Sequence, residues 1–291
     1  MTSSVDLLVI GGSGFVGANL TQAALRAGFK VAYTYADHKL HLPVNSYQVN
    51  LQEEDTLETC LAKAQPKNIV YCAVPRGDET IHRAVSVEGV KRTLGALDKE
   101  TSPKFIYIST NSVFSGEKGQ YRELEKPDAE QRCDDYRAYA VTRAIGEQVT
   151  LGTWTNSIVV RTADVNGRDM QGNMNARLEN LIDKLKSGLE IQRLSQAYIS
   201  PTLVDNLVDG IIEILDKSFV YRGILHIAGC ERITYYDFAR MVAEFINADV
   251  SLVKPDTSKN WDYSLDVSFT QSLLKTRLLN VEDQFKKIFR Q

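Results

Sequence analysis

The residues Gly11-Gly12-Ser13-Gly14-Phe15-Val16-Gly17 place glycines at 11, 14 and 17 directly after the apolar run Val5–Ile10. Glycine lets a chain turn sharply out of a strand, lets backbone approach an anion closely, and lets the next helix sit tight against the sheet. The helix that follows would aim its free N–H groups and the positive end of its dipole at the same anion. A glycine pattern alone is a weak signal. Here it lies between a strand pattern and an amphipathic helix pattern at Val16–Ala27, closed by Gly28 and a second apolar run, Val31–Tyr35. In that context the loop is expected to hold the pyrophosphate of a nicotinamide dinucleotide through Gly11, Ser13, Gly14, Phe15, Val16 and Gly17. Beyond the second run stand Asp37-His38-Lys39. Asp37 suits a free ribose 2′-hydroxyl and Lys39 a 2′-phosphate, so NAD and NADP both stay open, as does a merely solvated turn.

A phosphate loop works only at the end of a strand in a covered sheet. Apolar, β-branched runs recur at Asn68–Cys72, Phe105–Ser109 and Ser157–Arg161, alternating with helical patterns at Glu54–Ala64, Thr80–Leu97 and Tyr136–Leu151. That rhythm predicts an α/β, Rossmann-type doubly wound parallel sheet, its strands covered on both faces. After Arg161 the rhythm changes. Asn166–Gly172 reads as a loop, Met174–Ser187 and Leu203–Lys217 as helices, Ile224–Ile227 as a strand, Tyr235–Ile246 as a helix, Lys254–Asp262 as a polar loop and Val281–Phe289 as a last helix. The expected division is a dinucleotide-binding domain at 1–162, with 203–228 returning to it, and a smaller C-terminal α/β substrate lobe from 163–202 and 229–291. No Pro/Gly/Ser linker separates them, so a ligand cleft is expected between the two.

Composition narrows the chemistry. The 291 residues are 43% hydrophobic with a net charge of −3, which gives an ample core and no basic footprint for nucleic acid. The four cysteines are far apart and the four histidines lack ligand spacing, so no metal site is expected. No apolar run approaches the ~20 residues that would span a bilayer, and the N-terminus carries no signal-peptide pattern. The expectation is a cytoplasmic protein without membrane contact.

The glycine spacing, the segment Ile108-Ser109-Thr110-Asn111-Ser112-Val113-Phe114-Ser115-Gly116 and the segment Tyr139-Ala140-Val141-Thr142-Arg143 with Gly146-Glu147 together resemble the extended short-chain dehydrogenase/reductase family. Within it the chain is most similar to dTDP-dehydrorhamnose reductases and related nucleotide-sugar reductases. Ser200-Pro201-Thr202, Tyr236-Asp237-Phe238-Ala239 and Ser264-Leu265-Asp266 extend the resemblance over nearly the whole chain. It implies that Tyr139 gives a proton to a substrate carbonyl, that Thr110 hydrogen-bonds the same oxygen, and that the cation one turn on favours the phenolate. A free tyrosine, with a pKa near ~10, is too weak an acid for this at neutrality, and a cation at i+4 shifts it the right way. The resemblance also implies cofactor contacts at Asn50 and Ala73, substrate contacts at Ser112 and Asn173, and pairing into homodimers.

The residue four after Tyr139 is Arg143, where the family has lysine; an arginine keeps the charge but cannot take part in proton relay. Cys72-Ala73-Val74-Pro75, Asn50, Ser86 and Lys259-Asn260 also depart from the family pattern. The leading expectation is an NAD(P)-dependent oxidoreductase acting on a keto group of a nucleotide-activated sugar. An epimerase or dehydratase that retains NAD, and a non-catalytic cofactor-binding regulatory subunit, stand as alternatives.

Overall fold

The computed structural model describes residues 4–53 and 55–289; the helix start expected at Glu54 and the outer ends of the two domain ranges lie outside the described residues. The large sheet is built from β1 (Leu7–Ile10), β2 (Val31–Tyr35), β3 (Asn45–Gln48), β4 (Asn68–Tyr71), β5 (Lys104–Thr110), β6 (Ser157–Thr162) and, after β7 (Val165–Asn166), β8 (Ile191–Ile199) and β9 (Thr202–Leu203), the strand β10 (Gly223–His226). Its order is β10-β6-β5-β4-β1-β2-β3, and every neighbouring pair is parallel. This is the doubly wound fold. Side chains alternate across a strand, so Leu7 and Val9 pack with helices α1 (Phe15–Arg26) and α7 (Val204–Leu215), while Leu8 and Ile10 pack with α2 (Thr56–Ala64) and α4 (Gly89–Gly95).

The helix expected over Thr80–Leu97 is interrupted. It runs as α3 (Glu79–Arg83), a π-helical turn at Ala84–Glu88, and α4. A π turn loosens the usual carbonyl pairing, and here the Tyr71 hydroxyl donates to the Val85 carbonyl at 2.6 Å. The following helix, α5 (Arg137–Thr153), connects β5 to β6.

The second lobe holds α6 (Ala176–Lys186), β8, β11 (Ile233–Thr234), α8 (Tyr235–Phe245), β12 (Val253–Asp262) and α10 (Val281–Phe289), with its own apolar core. Its sheet has the order β11-β8-β12. The segment Lys254–Asp262, expected as a polar loop, is strand: β12 runs parallel to β8 at the sheet edge, with a register shift between Asp256 and Asn260. A mostly exposed edge strand needs no apolar alternation, which is why the pattern missed it; the exposed strand β3 escaped for the same reason. The segment Leu265–Leu278, which carries the short helix α9 (Ser268–Leu273), puts Leu265, Val267, Leu274 and Leu278 into the core of the large sheet rather than that of the lobe. Among the described residues no helix is long and apolar enough to cross a membrane.

A buried polar network ties α5 to the far side of the large sheet. Arg161 on β6 is fully buried and grips Glu147 of α5 with Nε at 3.0 Å and Nη2 at 2.7 Å. Ser109 of β5 donates to the same carboxylate. The guanidinium also lies over the Phe114 ring and beside His226 Nε2 at 3.5 Å. His226 Nδ1 faces the Asp266 carbonyl at 3.0 Å, so the ring is a neutral donor there. Burial, then the neighbouring Arg161 charge, pushes the His226 pKa down to about 3. As pH falls from 6.5 toward 3, the unfolded chain therefore takes up this proton before the folded one, and stability is lost across that window, on the order of 4 kcal/mol once the pH nears 3. His226→Gln keeps a donor toward Asp266 and should flatten the decline in denaturant-derived stability between those pH values. An unchanged slope would show that the acid sensitivity lies elsewhere.

Candidate functional site

The glycine loop turns out of β1 as the residue pattern requires, and the structure gives each glycine a separate reason. Gly11 has φ 77°, and a Cβ there would lie 2.7 Å from the Ala73 backbone. A Cβ on Gly17 would lie 2.3 Å from the Gly11 carbonyl oxygen, so the start of α1 sits directly on the loop. Gly14 differs. Its φ is −74°, and the nearest atom to an added Cβ is the Gly11 oxygen at 3.4 Å, so the fold itself does not demand glycine there. The open side of Gly14 is the side a bound phosphate would take. No side chain caps α1 and no acidic residue stands in its first turn. The first N–H groups of Phe15, Val16 and Gly17 thus have no intrahelical acceptor, and the positive end of the dipole is uncompensated. These features fit a dinucleotide pyrophosphate.

The loop is braced by a residue that the sequence pattern gave no reason to single out. Thr34 on β2 accepts the Gly11 N–H through Oγ1 at 2.9 Å and the Gly12 N–H through its carbonyl at 2.9 Å. Just beyond β2, Asp37, His38 and Lys39 are all exposed, in a segment held by two hydrogen bonds between the Tyr33 hydroxyl and the Leu40 backbone. Asn50 spends its side chain on its own loop, donating to Glu53 at 2.7 Å and accepting from the Gln52 N–H at 3.1 Å.

Arg143 anchors helix α5 at the carboxyl end of the sheet. Arg143, 2% exposed, donates through Nη1 to the Ala73 carbonyl at 3.0 Å and through Nη2 to the Ile108 carbonyl, and its guanidinium lies 4.5 Å above the Tyr107 ring centre. Its Nε is buried without a partner. Burial by itself would lower its pKa, but the hydroxyls of Tyr107, Tyr139 and Tyr71 hold it above the ordinary value, so the group is a permanent cation. From this anchor the positions of Tyr139 and Thr110 follow. Helix α5 joins two adjacent parallel strands and so runs opposite to them. Tyr139 lies one turn, about 6 Å, toward the carboxyl edge, and Thr110 lies two strand residues, roughly 6.6 Å, in the same direction.

Tyr139 is half-buried, and the ring of His82 on α3 meets it edge-to-face with centres 5.9 Å apart. Thr110 ends β5; its Oγ1 accepts the Ser112 N–H at 3.1 Å and faces Asn111 Oδ1 at 3.2 Å. The Ser112 carbonyl accepts from Arg132, and Asn111 donates to the Tyr263 carbonyl, tying this strand end to the segment after β12. Tyr107 and Tyr71, below the site, are driven up in pKa by burial, and the buried Cys72 thiol is pushed up to about 12. Burial keeps all three protonated near neutrality.

Asn173 lies in the loop before α6. It is exposed and bonded to Asp169 through its backbone N–H and its side-chain amide, and the residue at the N-cap of α6 is Asn175. Among the described residues no cluster of His, Cys, Asp and Glu could hold a metal ion.

The family model described as RmlD substrate binding domain matches residues 5–286. A probable dTDP-4,6-dihydroxy-2-methyloxan-3-one 4-ketoreductase of Streptomyces antibioticus is 25% identical over 256 residues, covering 86% of this chain and 80% of that one. The methionine adenosyltransferase 2 subunit beta of Danio rerio is 24% identical over 219 residues, 72% of this chain and 65% of that one. Among solved structures, the dTDP-4-dehydrorhamnose reductase of Bacillus anthracis in complex with NADP superimposes with a TM-score of 0.81 at 17% identity, covering 99% of this chain and 98% of that one.

The two roles of the glycines are separable by substitution. Gly14→Ala should lose no more than about 1 kcal/mol of stability, the modest cost of alanine for glycine at a helix N-cap, yet bind NAD and NADP at least tenfold more weakly. Gly17→Ala should lose roughly 1–3 kcal/mol of stability as well, because its methyl meets backbone. Thermal melts paired with nucleotide titrations read both. Full nucleotide affinity in Gly14→Ala would remove the phosphate from that side of the loop.

Proposed function

The chain belongs to the RmlD substrate binding domain family, and we propose that it is an NAD(P)-dependent reductase of a keto group on a nucleotide-activated sugar. One observation carries the reading. The Ala73 backbone touches Gly11 of the phosphate loop on one side and accepts from Arg143 on the other, so the loop and the Tyr139 helix share one contact. A dinucleotide held by the loop would thus extend toward the strand end where Thr110 and Tyr139 stand.

The Gly11–Gly17 loop and the Ala73 edge would hold the cofactor, which supplies a hydride when bound in its reduced form. Thr110 Oγ1 orients and polarises the sugar carbonyl, and Tyr139 gives its hydroxyl proton to that oxygen as charge develops there. Arg143 contributes a fixed positive charge that favours the resulting phenolate. It cannot carry a proton, because the guanidinium does not deprotonate in a protein.

The same Arg143 geometry favours a second reading. With its donors committed to two backbone carbonyls, the residue serves as a clamp, and a protein of this design could bind a dinucleotide and a partner without turnover. A retained NAD, as in an epimerase or dehydratase, would appear as nucleotide released in equimolar amount when the purified protein is denatured.

Tyr139→Phe should lower kcat on dTDP-4-dehydrorhamnose with NADPH by on the order of a hundredfold or more while leaving NADPH affinity unchanged. An unaltered rate would take the proton-donor role from Tyr139. Arg143→Lys loses the fork that spans both carbonyls, so its melting temperature should drop by several degrees, even if a lysine there raises turnover. Should both forms bind nucleotide tightly and neither reduce any nucleotide sugar, the regulatory reading stands and the reductase reading falls.

A further inference from the structure

Arg143 leaves the site without the titratable cation that would return a proton to Tyr139, and the structure places another titratable ring against that tyrosine. His82 packs edge-to-face on Tyr139 at 5.9 Å between ring centres, from a helix that follows the β4 loop. Its Nδ1 is buried and has no hydrogen-bond partner. A buried ring nitrogen without a partner is unfavourable, and such groups in native structures call for an explanation such as a catalytic role or a bridging water. The imidazole as a whole is half-buried.

We propose that His82 is a positioning residue that acts through Tyr139, holding its ring edge-on and returning the proton the phenol loses in each turnover. The inference rests on the reading of Tyr139 as proton donor. Tyr139 gives its O–H proton to the substrate carbonyl oxygen and is left as phenolate. The His82 imidazolium then gives an N–H proton to the phenolate through one water, since the two side chains share no direct hydrogen bond. The neutral imidazole takes a proton from bulk water when the product leaves and water enters the cleft. One proton is drawn from solvent per carbonyl reduced.

The charged neighbours of His82 are few. On its own helix lie Glu79 and Arg83, with Asp78 at the N-cap. The π turn brings Glu88, which pairs with Arg83 at 3.9 Å. Helix α5, packed against α3, brings Tyr139, Arg143 and Arg137, the last turned to the Glu130 carbonyl. No carboxylate of these elements bonds the ring.

The test compares wild type, His82→Phe and His82→Gln with dTDP-4-dehydrorhamnose and NADPH. Both variants should lose about tenfold in kcat with KM for NADPH and NADPH binding by fluorescence unchanged, and millimolar imidazole should restore the rate. The wild-type pH profile should carry a limb that falls as the imidazolium deprotonates, and the variants should lack it. A ring titration of His82 by NMR, read without turnover, should shift by several tenths of a unit in Tyr139→Phe. Full activity in His82→Phe, or a loss that imidazole does not rescue, overturns the relay while leaving Tyr139 as donor. Absence of wild-type turnover overturns the reductase reading and the relay together, and coincident ring titrations overturn the contact itself.

Discussion

Helix α5 must be held at one height against the sheet, and two buried guanidinium groups do this from opposite directions. Arg143 reaches out of the helix to the carbonyls of Ala73 and Ile108, and Arg161 reaches out of β6 to Glu147 of the helix. A buried cation without partners is prohibitively costly, and removing one partner of a buried pair typically costs ~3–5 kcal/mol. The helix is therefore not free to slide by a turn. Everything at the site inherits that register: Tyr139 stands one turn above the Arg143 clamp, and Thr110 two residues above the carbonyl that the clamp holds.

The clamp also explains how a lysine position can hold an arginine. The planar fork satisfies two carbonyls and rests its face on Tyr107, a combination a lysine ammonium lacks. The fork keeps register and charge, and a guanidinium does not give up its proton in a protein. That trade shifts attention to His82, whose ring meets Tyr139 from α3, just ahead of the π turn. The π turn is itself part of the positioning, since the Tyr71 hydroxyl takes its Val85 carbonyl, and Gly146 is small because Tyr107 and Ser86 stand where a side chain would be.

The fold was legible where burial imposes a period. Runs such as Leu7–Ile10 and Lys104–Ser109 are buried on both faces, and α8 and α7 show one apolar stripe each. It was not legible where pairing alone makes the strand: β12 and β3 are polar edge strands whose existence depends on the neighbour each pairs with, β8 and β2, and not on a pattern of their own. The same limit applied within the site. The glycine loop could be read because its spacing encodes a backbone path. Thr34, whose hydroxyl and carbonyl hold that loop, and His82, which meets Tyr139, carry no local signature, since an isolated threonine or histidine is ordinary in any helix or strand.

By itself the sequence determined the doubly wound architecture, the glycine loop after the first strand and the order Thr110, Tyr139, Arg143 along the chain, because local spacing and hydrophobic period encode these directly. Tertiary structure alone decided what Arg143 does, since the carbonyls it meets belong to residues 70 positions before it and 35 before it. It likewise decided that Gly14 has open space beside it while Gly11 and Gly17 answer to backbone. Those distinctions depend on which atoms share a space, and a linear pattern holds no record of that.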